Sequence, residues 1–403
     1  MQQYSKILIG VAAGATIGVF LPDAAQYLDF IGTLFLNALQ MIVVPIVLLS
    51  LFKSVFSLAT TGDKNLGRVA RRTTVLYLLT MTIAILTGLS LVLLLAPGVN
   101  CNLTLPTDNI GVQFLAPQDI LLRTVPRNIF AALADNNTLP VILIAVVGGL
   151  ALASQQADKA RQVADFLSTI LDTTYTLTDW ILRLAPYGLS AVVAVQFAKA
   201  SGSLSLLSAL AMYLLTVFLG LAIHTFLWLP LLLRFVANVN PWRHLRNMRD
   251  VLLVAFSTAS TAATIPYSLR AVSQKDGVSS KITDFVIPLG ATVNMAGCAL
   301  LECVAVVFVA QAYGVNLSLL QTVSICITSL LCAIGSAGIP MAALVMMTVV
   351  LSAAGLPVEG VALVAGVDRV ADMMRTAVNV YGDTCVAVLV AKQEGESLSI
   401  DKS

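Results

Sequence analysis

Charge is what this chain has least of. Asp, Glu, Lys and Arg make up 11% of its 403 residues, against about a quarter in an ordinary soluble domain, which excludes a soluble globular protein. Its two histidines, His224 and His244, are too few for a His-rich metal site. The six cysteines show no metal-ligand spacing and lie mostly inside apolar runs, where they read as small core residues. A cleavable export signal is not evident either, because the first apolar run, ILIGVAAGATIGVFLP, leads into a second without a cleavage pattern. The net charge of +2 names no partner, and no nucleic-acid contact is expected.

In place of charge the chain has long apolar runs, with 58% hydrophobic residues. Uncharged stretches cover 30–52, 73–107, 203–233, 251–269 and 303–358. Several reach the roughly 20 residues needed to cross a bilayer core about 30 Å thick. Basic residues cluster at Lys53 to Arg72, at Lys159 and Arg161, and at Arg234 to Arg249, and these ends are expected in the cytoplasm. The segments 23–29, 97–122 and 314–318 hold almost no Lys or Arg, carry loop chemistry, and are expected outside. Six spans follow, at about 6–22, 30–56, 73–96, 127–152, 163–190 and 203–234.

The stretch 251–269 breaks the alternation. It is rich in Ser and Thr and has basic residues on both sides, Arg249 before and Arg270, Lys275 and Lys281 after. A crossing helix cannot leave both ends on one side, so 243–280 reads as a re-entrant hairpin from the cytoplasm with STASTAATIP at its tip. A span at 283–313, interrupted by NMAG, comes next. A second hairpin at 320–352, tip AIGSAGIP, dips in from outside. With the last span the predicted fold is an all-α integral membrane protein of eight spans and two oppositely oriented re-entrant hairpins, with both termini cytoplasmic. Hairpins entering from opposite sides, each followed by a span with a polar interior, form an inverted repeat, an arrangement that places a solute site near the midplane.

That last span, GVDRVADMMRTAVNVYGDTCVAVLVAK, carries the chemistry. A helix turns about 100° per residue, so Asp368, Asp372, Arg375, Asn379 and Asp383 fall within an arc of about 80°, with Arg369 beside it. Each charge facing lipid at mid-bilayer would cost about 2.5–3.5 kcal/mol, so the stripe must face protein, water or ligand. Arg375 offers the planar fork that grips a carboxylate. Asp372, one turn away, suits an ammonium, Asn379 supplies donor and acceptor, and Asp383 suits a hard cation. Gly290, Asn294 and Gly297 break the preceding span and free carbonyls for sodium. Ser260 and Thr261 on one tip, and Gly335 to Gly338 on the other, offer N–H groups and hydroxyls for an α-carboxylate.

The motifs PLGATVNMAG, AIGSAGIP and DRVADMMRTAVNVYGD, supported by MIVVPIVLL and LAPYG, run in order over almost the whole chain. Together they resemble the dicarboxylate/amino acid:cation symporter family, the sodium-coupled glutamate and aspartate transporters that include the excitatory amino acid transporters. The resemblance implies a homotrimer in the plasma (cell inner) membrane that moves an acidic amino acid by an elevator mechanism. Residues 1–72 and 127–202 would form a static scaffold, and 73–126 and 203–403 a mobile transport domain whose second hairpin is the outer gate. It implies substrate contacts at Ser260, Thr261, Cys298, Ile339, Asp372, Arg375, Thr376 and Asn379. One sodium site would use Asp383 with carbonyls of Gly290, Asn294 and Asn379, and a second those of Thr292, Ala333, Ile334 and Ser336.

Departures from the family pattern cluster. NMDGT reads NMAGC here, so Ala296 replaces a sodium-ligating carboxylate. Tyr77 and Thr80 remain in the third span, but Met81 stands where a serine hydroxyl would serve the same ion. The third sodium site is therefore expected to be degenerate, with fewer than three sodium ions coupled, or a proton in place of one. Cys298 replaces a threonine at the side-chain carboxylate, Met341 and Ala343 replace glycines near it, and neither Ala259 nor Met373 supplies the arginine that relatives carry.

An intramembrane enzyme is excluded by the lack of His in the broken segments. A channel is the rival of another class, since a polar stripe could line a pore. A C4-dicarboxylate carrier would leave Asp372 beside a ligand with no ammonium, and a neutral amino acid fits if Arg375 pairs with Asp368.

Overall fold

The computed structural model describes residues 2–60, 64–99, 101, 125–134, 138–199, 204–336, 342–365 and 367–401. Of the outer loop expected at 97–122, residues 100 and 102–122 lie outside the described residues, as do Gly338, Ile339, Pro340 and Met341 of the second tip. Among those that are described, the chain is helical throughout, with no strand. Three helical stretches, Gly67–Leu95, Leu206–Phe235 and Ser280–Ala312, are long and apolar enough to cross a membrane by length and composition.

Helices α1 (Gln2–Phe20) and α2 (Pro22–Ala59) are separated by Leu21 alone. The loop expected at 23–29 is thus the first two turns of α2, started by Pro22, whose fixed φ and missing N–H suit a first helical position. After α3 (Lys64–Leu95) come α4 (Ile129–Ala134) and α5 (Thr138–Ala153), either side of residues 135–137, which lie outside the described residues. The single span expected at 163–190 is two helices, α6 (Ala157–Arg183) and α7 (Ala185–Lys199). Pro186, in LAPYG, cannot donate to a continuing helical ladder, and the break falls just before it.

Then come α8 (Leu204–Ile223), a π-turn (His224–Trp228) and α9 (Leu229–Phe235). Asn240 caps α10 (Pro241–Thr258), accepting from the N–H groups of Trp242 at 3.1 Å and Arg243 at 3.4 Å. Ala259, at φ 49°, turns the chain in the left-handed region, and Ser260 caps α11 (Thr261–Ala271) by accepting from Ala263 N. These two arms pack on each other as a helical hairpin. A π-turn (Val272–Asp276) leads to α12 (Ser280–Val293) and α13 (Ala296–Ala312), broken at Asn294 and Met295 as the NMAG motif predicts. The second hairpin is α14 (Leu319–Gly335) and α15 (Ala342–Ala353), the first of these started by a Ser318–Gln321 capping box. A short α16 (Val361–Ala365) precedes α17 (Asp368–Gln393), the polar-striped helix.

Packing sorts these elements into two groups. In one, α1 and α2 pack on α7, and α2 also on α5 and α6. A Cβ on Gly10 or Gly14 would overlap the backbone carbonyl of Pro186 or Ser190, so this small-xxx-small face lets α1 and α7 touch backbone to backbone. In the other group α3, α8, the second hairpin and α17 surround α13, of which every residue but Gln311 is buried, while the first hairpin packs on α12 and α17. Arg68 and Arg72 at the start of α3 pair with Glu394 just past α17, closing one end of that group.

Candidate substrate and cation site

Two groups of predicted residues meet where the α12–α13 break faces α17. The first is centred on Arg375. Its side chain is 3% exposed and that of Asp372 is not exposed at all, and the two are ion-paired, with Nε donating to Asp372 Oδ1 at 2.9 Å. Nη1 donates to Cys298 Sγ at 2.8 Å. Asn379 Nδ2 also donates to Cys298 Sγ, at 3.3 Å, while Asn379 Oδ1 accepts from Gly297 N at 2.7 Å. Thr376 Oγ1 donates to the Asp372 carbonyl at 2.8 Å. A helical repeat brings Asp372, Arg375, Thr376 and Asn379 onto one face of α17, and the break at Asn294–Met295 turns the start of α13 to meet it.

The close approach depends on glycine. A Cβ on Gly297 would lie 2.8 Å from Arg375 O and 3.0 Å from Asn379 Oδ1. A larger residue would push the two helices apart.

The second group lies one turn further along α17. Asp383, 3% exposed, accepts at Oδ1 from Asn294 Nδ2 at 3.0 Å. Thr80 Oγ1 lies 3.2 Å from Asn294 Oδ1, and Tyr77 donates to the carbonyl of Val286 at 2.7 Å. A Cβ on Gly290 would collide with the Asp383 carboxylate and lie 2.6 Å from the Tyr77 hydroxyl. Gly290, Asn294, Asp383, Tyr77 and Thr80 are thus one buried, oxygen-rich cluster. Met81 and Ala296 are 0% and 1% exposed and belong to an apolar cluster. They bring no oxygen from their side chains.

The remaining predicted residues lie elsewhere. Thr292, Ile334 and Ser336 line one cleft of about 410 Å³ between α12, the end of α14, and Lys53, Ser57, Leu171 and Tyr175 of the other helical group. Ala333 is buried, and its carbonyl accepts from Ser336 N at 3.2 Å. Ser260 and Thr261 form the first hairpin's tip, where the Ser260 carbonyl accepts from Thr264 Oγ1 at 2.6 Å. Ile339 falls outside the described residues.

Glu302 escaped the sequence reading. It sits on α13 one turn beyond Cys298, is fully buried, and neither carboxylate oxygen has a hydrogen-bond partner among the described residues. The signal was a carboxylate standing alone in the apolar run from Gly297 to Ala310.

A family model described as the sodium:dicarboxylate symporter family matches residues 4–393. The chain is 33% identical over 405 residues to the proton/sodium-glutamate symport protein of Bacillus caldotenax, covering 97% of this chain and 94% of that one. It is 31% identical over 409 residues to the proton/glutamate-aspartate symporter of Escherichia coli K12, covering 96% and 92%. Over 454 residues it is 32% identical to excitatory amino acid transporter 3 of Mus musculus, covering 97% and 86%. With a match of that length to a family of transporters rather than enzymes, this chain belongs to the sodium:dicarboxylate symporter family.

Proposed function

We propose that this protein is a secondary active transporter in the plasma membrane that couples uptake of aspartate or glutamate to sodium and a proton. The observation that carries the substrate assignment is the buried Arg375–Asp372 pair. Buried charges are tolerated only when paired and hydrogen-bonded. A ligand with a side-chain carboxylate and an α-ammonium can exchange that pair for two of its own, carboxylate to Arg375 and ammonium to Asp372. A neutral amino acid would separate the pair and leave the guanidinium without a partner. Asn379, Thr376 and Cys298 complete the polar wall. Ser260 and Thr261 on one tip and Ile339 on the other close over the α-carboxylate in this reading.

Sodium belongs at the Asp383 cluster. Gly290, Asn294, Asn379 and Asp383 offer the hard oxygen donors that a small cation prefers. A second ion fits Thr292, Ala333, Ile334 and Ser336, where the second hairpin ends its first arm. The apolar packing of Met81 and Ala296 argues that no third sodium is bound beside Tyr77 and Thr80, so fewer than three are coupled. Glu302 is the proton's place, since a proton bound there neutralises a carboxylate with no counter-ion within hydrogen-bonding distance.

The two packing groups suit an elevator. Helices α1, α2 and α4–α7 would be the scaffold and trimer contact, and α3, α8–α15 and α17 the moving part, with eight spans, two re-entrant hairpins and both termini cytoplasmic. The cleft between the groups lies where they would slide. The test is uptake of labelled aspartate, serine and succinate into proteoliposomes with and without a sodium gradient. Concentrative, sodium-dependent aspartate uptake supports the reading; gradient-independent conductance or a preference for succinate overturns it.

A further inference from the structure

Two thiols that the transport site does not use meet where the second hairpin begins. Helix α13 ends at Ala312, α14 starts at Leu319, and the two pack on each other. So short a connection makes them antiparallel neighbours. Cys303 lies about two and a half turns before the end of α13 and Cys326 about two turns after the start of α14, so the register sets them side by side at one level. Their side chains meet there, hydrogen-bonded thiol to thiol.

The two differ in access. All six cysteines are free, and Cys101, Cys298, Cys303, Cys332 and Cys385 are buried, which leaves half-buried Cys326 as the thiol that a reagent meets first. Val323 and Ile327 beside it are exposed. A neutral reagent enters such apolar surroundings more readily than an ion does. A reachable thiol with a second thiol behind it is the arrangement in which one sulfur is oxidised and the other resolves it.

We propose that Cys303 and Cys326 form a reversible disulfide, made by a hydroperoxide, that ties the first arm of the second hairpin to α13. The Cys326 sulfur attacks one peroxide oxygen. The S–O bond forms, the O–O bond breaks, and the thiol proton leaves on the water or alcohol released. The Cys303 sulfur then attacks the sulfur of the Cys326 sulfenic acid. The S–S bond forms, the S–O bond breaks, and the hydroxyl departs with the Cys303 proton as water. Two thiols have given up two electrons, and one peroxide has taken them. Closing the bond draws the sulfurs to about 2 Å and fixes the spacing of the two helices. About two turns beyond Cys326, α14 reaches Ala333 and Ile334, ahead of the tip. Under the transport reading, where this hairpin is the gate, the bond holds the arm against α13 and stops turnover; the sulfur chemistry does not rest on that reading.

The test uses the purified full-length protein in liposomes, with hydrogen peroxide in the buffer or a phospholipid hydroperoxide in the bilayer. Non-reducing digestion and mass spectrometry should find, with at least one of these sources, a Cys303–Cys326 peptide pair short of two hydrogens that a phosphine returns to free thiols. In Cys303→Ala the Cys326 sulfenic acid should persist and be trapped by dimedone. Both thiols still free after either treatment, or each linked to another cysteine, overturns the proposal. Aspartate uptake should fall at least about tenfold on oxidation, because a gate held in place ends turnover, and should recover on reduction. Cys326→Ala should keep basal uptake and not respond to the peroxide; a loss equal to that of wild type overturns the locking of the gate. Absence of uptake before oxidation would count against the transport reading alone, and the peptide pair would still decide the disulfide.

Discussion

Arg375 reaches from α17 to α13 and donates from Nη1 to Cys298 Sγ at 2.8 Å. Where the family resemblance implies a hydroxyl, the guanidinium here meets a thiol, a weak acceptor. Cys298→Thr should therefore lower the KM for aspartate by about three- to tenfold, the worth of one better hydrogen bond. Arg375→Ala should abolish aspartate uptake and admit serine. Competition uptake in proteoliposomes measures both, and unchanged selectivity in Arg375→Ala would remove the substrate assignment.

Gly290 is constrained by contact and not by backbone conformation. A methyl group there meets the Asp383 carboxylate and the Tyr77 hydroxyl, so Gly290→Ala should weaken sodium binding at least about tenfold by displacing a ligand. Gly314, at φ 66° with open space around its Cβ position, is the control. Gly314→Ala should cost only about 1 kcal/mol of stability and leave sodium titrations unchanged.

Sodium-dependence of uptake should give a Hill coefficient below three. Restoring oxygens with Ala296→Asp and Met81→Ser together should raise the number of sodium ions moved per aspartate, read from reversal potentials in proteoliposomes. A wild-type count of three would contradict the degenerate site.

Gly14 lies against the Ser190 carbonyl. Gly14→Leu should force α1 from α7 at a cost of about 1–3 kcal/mol, the range for overpacking a close contact. A lowered Tm with unaltered sodium affinity is expected, because α1 and α7 belong to the group of helices away from Asp383.

How far the sequence could be read depended on the residue. The α12–α13 break followed from Gly290, Asn294 and Gly297, because glycine and a polar residue in an apolar run mark unwound backbone. The α10–α11 turn at Ala259–Ser260 followed from basic residues on both sides of a short apolar stretch. The split at Leu184 and the helical start of α2 were misjudged, since an apolar run flows through the first, while Asp23, Gln26 and Asp29 give the second the composition of a loop. Glu302 was passed over because it is a single residue whose meaning depends on what surrounds it.

The sequence by itself determined the membrane class, the order of helices and the stripe on α17, because hydropathy and helical period are local properties of the chain. Only the tertiary structure decided that Arg375 pairs with Asp372 and Cys298, and that Asp383 meets Asn294 across the break. Apart from the Arg375–Asp372 pair, one turn apart on a single helix, those contacts join residues far apart in the chain, and their geometry exists only once the helices pack around α13.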